Sequence, residues 1–163
     1  DVVLDLMIHD IDIVLSIVKS KVKEIRASGI SVLSNSIDTA NARVAFENGC
    51  VANMTASRIA QKKIRKFRFF EDSSYTTIDF LNPSIEKYIL SNNIPDNNQS
   101  YVVMNNIKDK YILYEKCNIT NHNALKKELE NFIESIINLQ QPIIDGYSGL
   151  KALKLAIEIQ NSI

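Results

Sequence analysis

The densest set of chemically competent side chains sits near the start of the chain, in Leu4-Asp5-Leu6-Met7-Ile8-His9-Asp10-Ile11-Asp12. On a helix, Asp5, His9 and Asp12 fall at i, i+4 and i+7 and project from one face within about 11 Å of axial rise. A carboxylate one turn from an imidazole can fix its tautomer and share its proton, which gives a group able to donate or accept a proton near neutral pH. The same spacing also serves a plain surface ion pair. Zinc or iron could take a His and an Asp at this spacing, but no second His or Cys lies nearby and His122 is distant in sequence, so no metal site is expected.

A second cluster is basic. Lys62-Lys63-Ile64-Arg65-Lys66-Phe67-Arg68-Phe69-Phe70 interleaves cations with aromatics, a pattern that can track nucleic acid. At strand period both of its faces are mixed, which points to a solvated or partner-covered strand instead. Arg58, just ahead of this run, is the candidate to meet an anionic group of a substrate. Nineteen basic and nineteen acidic residues cancel, so no overall field draws the chain to nucleic acid or to an anionic membrane. The four glycines, Gly29, Gly49, Gly146 and Gly149, form no G-x-G-x-x-G or Walker loop, so no cofactor-binding residue for a dinucleotide is expected in this chain. No G-x-S-x-G elbow or Cys-His pair suggests nucleophilic catalysis.

The elements that would position these residues follow from periodicity. Apolar residues at Leu4, Ile8, Ile11, Leu15 and Val18 predict a helix over 2–18. From about 22 to 113 short runs rich in Val, Ile, Thr, Phe and Tyr predict strands near 22–34, 63–71, 75–80, 84–90, 100–104 and 111–119. Between them, Asn48-Gly49 flanked by alternating residues predicts a hairpin over 41–57 on a two-residue type I′ turn. A loop is expected at 92–99. After Asn123, Leu125, Leu129, Phe132, Ile133, Ile136 and Ile137 form an apolar stripe expected to pack on the sheet. A last helix is expected from about Ser148. The order helix, many strands, two helices implies an α+β fold, a predominantly antiparallel sheet with helices packed on one face.

With 163 residues, 45% of them hydrophobic, the chain suits a single domain over 1–163 with one continuous core. Cys50 and Cys117 form no C-x-x-C, which fits a reducing cytoplasm. No apolar run reaches the roughly 20 residues that span a bilayer. The chain opens on Asp with an apolar run at once, as a fragment entered in mid-element would.

Three segments together resemble the C-terminal domain of the glucose-fructose oxidoreductase, inositol dehydrogenase and rhizopine-catabolism family, written Gfo/Idh/MocA. Leu4 to Asp12 is similar to the family's D-x-x-x-H-x-x-D helix. Ala56-Ser57-Arg58-Ile59 through Phe70 resembles the strands after the N-G hairpin. Asn123 to Ile133, then Gln141-Pro142 through Asp145-Gly146 and Gly149 to Leu153, resembles the closing helix pair. The resemblance implies an NAD(P)-dependent dehydrogenase acting on a secondary hydroxyl of a sugar, polyol or nucleotide sugar. His9 would move the proton, Asp5 would orient or share it, and Asp12 would support the substrate side together with Arg58. NAD or NADP would be bound mainly by an N-terminal dinucleotide-binding domain, which also brings an E-K-P lysine; neither is in this sequence, and the chain by itself is expected to be inactive. A homo-oligomer, dimer or tetramer, through the sheet face is implied, with no nucleic-acid or membrane partner. The alternative is a non-catalytic ligand-binding or oligomerisation module of the same fold.

Overall fold

A computed structural model describes residues 1–94, 101–107, 109–120 and 123–163. The expected loop at 92–99 lies outside the described residues from 95 onward, and so does His122. The chain is α+β, with two antiparallel sheets and three α-helices among the described residues, and forms two compact units, residues 1–61 with 128–163, and residues 62–127.

In the first unit, a π-helical turn at Val3–Met7 runs directly into α1 (Ile8–Ile17). The Ile8 N–H reaches back to the Val3 carbonyl, five residues away, so the helix expected over this stretch starts on a wider turn. β1 (Val22–Ile30), β2 (Thr39–Phe46) and β3 (Val51–Ser57) follow in the sheet order β1-β2-β3. Ala40, Ala42, Val44 and Phe46 are buried while Asn41 and Arg43 are exposed, so only one face of β2 is covered. The core adds Met54 and Ala56 of β3, Met7, Ile11 and Val14 of the first helix, and Ala152, Leu155, Ala156 and Ile159 of α3 (Gly146–Asn161). Full burial of each large side chain in this set contributes about 1.5–3 kcal/mol.

The β2–β3 hairpin forms where expected, on a different turn. Phe46 accepts from the Gly49 N–H at 3.0 Å and donates to the Cys50 carbonyl at 2.9 Å, and within the loop Gly49 alone has positive φ, at 86°. That is a three-residue loop closed by a left-handed glycine. A type I′ turn would need Asn48 at positive φ as well. Asn48 instead turns its side-chain oxygen to the Cys50 N–H at 3.1 Å.

α3 begins at Gly146, with Asp145 as its N-cap accepting from the Ser148 N–H at 2.8 Å. α2 (Ala124–Ile137) forms as its periodicity predicts, but the packing expected of its stripe is not made. Leu125, Leu129, Phe132, Ile133, Ile136 and Ile137 are all exposed, and Ser135 is the buried residue of the helix, its hydroxyl donating to the Asn131 and Phe132 carbonyls. An amphipathic stripe requires a covering surface without specifying which one.

The second unit is a five-stranded antiparallel sheet, β4 (Lys66–Phe70), β5 (Ser74–Asp79), β6 (Ser84–Ser91), β7 (Val102–Ile107) and β8 (Lys110–Asn118), in the order β4-β5-β6-β8-β7. Its register brings Phe70, Tyr75, Tyr88 and Tyr114 opposite one another on four successive strands. Their ring centroids are 4.8, 5.8 and 5.0 Å apart, a continuous aromatic row on one face. The basic run resolves into this strand and its lead-in: Lys66 pairs with Asp79 at 3.1 Å, and the Arg65 guanidinium lies 5.3 Å from the centre of the Phe80 ring.

Candidate functional site

Asp5 lies in the π-helical turn with its carboxylate exposed, and His9 is exposed on the first turn of α1. Asp12 follows one turn later, half-buried. Arg58 comes from the end of β3, in phase with the buried Met54 and Ala56, so at the strand end it points to the side on which the turn lies. Its Nη2 donates to Asp5 Oδ2 at 2.8 Å and approaches the Asp1 carbonyl at 3.4 Å. The structure thus brings together two of the four residues singled out from sequence, Asp5 and Arg58. No hydrogen bond joins Asp5 to His9, and among the described residues His9 and Asp12 have no hydrogen-bond or ion-pair partner. The arrangement is an imidazole open to approach, one turn from a carboxylate already engaged by a guanidinium. It equips one surface to bind a polar ligand and to take or give a proton.

One residue of this neighbourhood escaped the sequence reading. Asp38, 2% exposed, sits just before β2. Its Oδ2 accepts from the N–H groups of Val32 at 2.9 Å, Leu33 at 2.7 Å and Ser34 at 3.0 Å, and its Oδ1 accepts from the Ser34 hydroxyl at 3.1 Å. The Val32 and Leu33 N–H bonds hold its carboxyl at about 2, well below the usual 3.8, against the opposing effect of burial. The signal was present in Ser34-Asn35-Ser36-Ile37-Asp38, a cluster of residues that bond neighbouring backbone and mark a loop.

The described residues offer no group of three or more His, Cys, Asp or Glu side chains that could hold a metal. Asp145, a carboxylate held below its usual range mainly by the Ser148 N–H, occupies the N-terminus of the glycine-containing helix α3, where a phosphate would be repelled. A shallow cavity of about 350 Å³ on the outer face of the three-stranded sheet is lined by Arg26, Ser28, Asn41, Arg43, Asn53 and Thr55, away from Asp5 and His9. No helix among the described residues is long and apolar enough to cross a membrane.

Residues 1–73, the segment holding Asp5, His9, Asp12, Asp38 and Arg58, match the GFO/IDH/MocA C-terminal domain. The match takes in 73 of the 163 residues, and over that segment the chain is similar to the GFO/IDH/MocA family. It is 29% identical over 164 residues to UDP-N-acetylglucosamine 3-dehydrogenase of Acidithiobacillus ferrooxidans, covering 100% of this chain and 49% of that protein. The solved structure of that dehydrogenase superposes with a TM-score of 0.83 at 28% identity, over 100% of this chain and 47% of the other. Uncharacterized oxidoreductase YrbE of Bacillus subtilis is 25% identical over 167 residues, covering 98% of this chain and 45% of the relative. Aldose-aldose oxidoreductase of Caulobacter crescentus, at 15% identity and a TM-score of 0.73 over 99% of this chain and 44% of that one, shares the fold. The chain spans about half the length of the curated relatives it matches.

Proposed function

We propose that this chain is a GFO/IDH/MocA C-terminal domain and forms the substrate side of an NAD(P)-dependent dehydrogenase that oxidises a secondary hydroxyl of a sugar, with a nucleotide sugar as the preferred class. The observation that carries the reading is the Asp5–Arg58 pair at 2.8 Å, one turn from the open imidazole of His9. The 29% identity to a UDP-N-acetylglucosamine 3-dehydrogenase over the whole chain supports the substrate class.

In this reading His9 takes the hydroxyl proton as the carbinol carbon becomes a carbonyl. Arg58 meets an anionic or hydroxyl group of the substrate, Asp5 orients that guanidinium and shares the proton path with His9, and Asp12 supports the substrate side. A nicotinamide supplies hydride acceptance when bound. The roles this proposal assigns to the chain are substrate binding, orientation and proton transfer. The decisive experiment follows nicotinamide reduction by the protein that carries this domain, with UDP-N-acetylglucosamine and with free N-acetylglucosamine, before and after His9→Asn. Loss of turnover on the nucleotide sugar sustains the proposal; unchanged turnover removes His9 from it.

The aromatic row of the five-stranded sheet supports association of the domain into a homo-oligomer through that face. Phe70 at its edge is 79% exposed, and a stacked aromatic surface of this kind is commonly covered by a partner.

A further inference from the structure

Three segments meet at one end of the first unit: the turn that carries Asp5, the end of β3 that carries Arg58, and the connection between β1 and β2. Asp38 joins them. Its N–H donates to the Ile30 carbonyl at 3.0 Å, its carbonyl accepts from the Arg58 N–H at 2.9 Å, and the carbonyl of the preceding Ile37 accepts from the Val2 N–H at 2.9 Å. Residues 37 and 38 therefore hold both the strand end and the first turn by backbone bonds. They are held in turn by the Asp38 carboxylate, which gathers three N–H groups and a hydroxyl of residues 32–34. The connection is closed down at a second point. Ile37 packs over Gly29 so tightly that a Cβ on the glycine would lie 2.8 Å from Ile37 Cγ2 and 3.0 Å from Ile163 Cγ2.

We infer that Asp38 is a positioning residue of the substrate site, fixing the strand end that presents Arg58 against the turn that presents Asp5. The inference rests on the proposed role of Arg58 in substrate binding. Without the carboxylate, three backbone N–H groups of the connection lose their acceptor, the connection loosens, and the backbone bond that anchors Arg58 loosens with it. The Arg58 guanidinium then samples more positions, and substrate binding pays for its re-ordering while the proton step at His9 is untouched.

A double-mutant cycle on the protein that carries this domain tests this, with the nucleotide sugar of the proposed reaction as varied substrate. Arg58→Ala is expected to raise KM roughly tenfold and Asp38→Ala roughly fivefold with kcat unchanged, while Asp38→Ala in the Arg58→Ala background adds less than about twofold. An independent structural role would multiply KM by the same factor in both backgrounds, or lower kcat, and either result overturns the inference. If Arg58→Ala leaves KM unchanged, the substrate role of Arg58 fails and the inference falls with it; additivity with an active Arg58 overturns the Asp38 role alone. Should Asp38→Ala not fold, Asp38→Asn keeps the shape and one acceptor oxygen, and its smaller KM increase must likewise vanish in the Arg58→Ala background.

Discussion

Arg58 Nη2 donates to Asp5 Oδ2 at 2.8 Å across 53 residues of sequence, joining the end of β3 to the turn that opens α1. The two side chains are 35% and 61% exposed, so water screens the pair and its contribution to folding is small, about 0.2–1 kcal/mol. Function and stability are therefore separable here. Asp5→Ala is expected to leave the thermal unfolding midpoint almost unchanged and to reduce kcat/KM in the proposed sugar oxidation by more than roughly tenfold, as steady-state kinetics beside a melting curve will show.

His9 presents an open imidazole with no partner among the described residues. A residue so placed costs nothing structurally when replaced. His9→Asn is expected to fold normally and to lose roughly 10²–10⁴ in kcat, the usual contribution of a general base. Retained kcat with a raised KM would instead make His9 a binding residue.

How far the sequence reached differs between elements for physical reasons. The strands of both sheets were legible because β-branched and aromatic runs end at turn residues, and α3 was legible to within two residues because Asp145-Gly146 supplies a cap. The hairpin turn was misread because Asn-Gly serves both a type I′ turn and a glycine-closed three-residue loop, and the choice depends on hydrogen bonds that Asn48 and Phe46 make only once the strands pair. The π-helical turn left no trace in the pattern, since apolar spacing does not register one wider turn. Of the site, Asp5, His9 and Asp12 were visible through their spacing. The pairing of Asp5 with Arg58 is a tertiary contact that no local pattern encodes, and Asp38 was hidden in a loop whose serines and asparagine read only as polar.

Acid should act through Asp38. Its folded-state pKa, about 2, lies below its ordinary 3.8, so it contributes stability that is present in full above about pH 4 and is lost as pH falls toward 2. Asp79 and Asp145 are shifted in the same direction, by the Asn82 and Ser148 N–H groups first of all, and add to the same window. Unfolding midpoints measured from pH 5 to pH 2 are expected to fall for the native chain. Asp38→Asn should start lower at pH 5 and decline less steeply; parallel curves would show that Asp38 does not drive the acid limb.

Phe46 closes β2 at 1% exposure and is the largest fully buried side chain among the described residues. Truncation to Ala leaves a cavity that a β-strand held on both sides cannot collapse, and denaturant unfolding is expected to show a loss of about 3–5 kcal/mol.

The aromatic row makes the remaining prediction. Phe70 stacks on Tyr75 at 4.8 Å and the row continues through Tyr88 to Tyr114, whose phenol burial pushes up beyond its ordinary range with help from Glu86. Tyr114 lies opposite Val102 on β7, so an aliphatic side chain extends the aromatic row onto the fifth strand. A face of this length is expected to be covered by the same face of a second copy, in which each row packs on the other about a two-fold axis. Phe70→Asp places a carboxylate on that face at a position already 79% exposed, so the fold of the isolated unit tolerates it while an apolar interface does not. Sedimentation is expected to show the native protein as an oligomer and the variant at reduced mass, with an unfolding midpoint that becomes independent of protein concentration. An unchanged mass would mean that copies associate elsewhere.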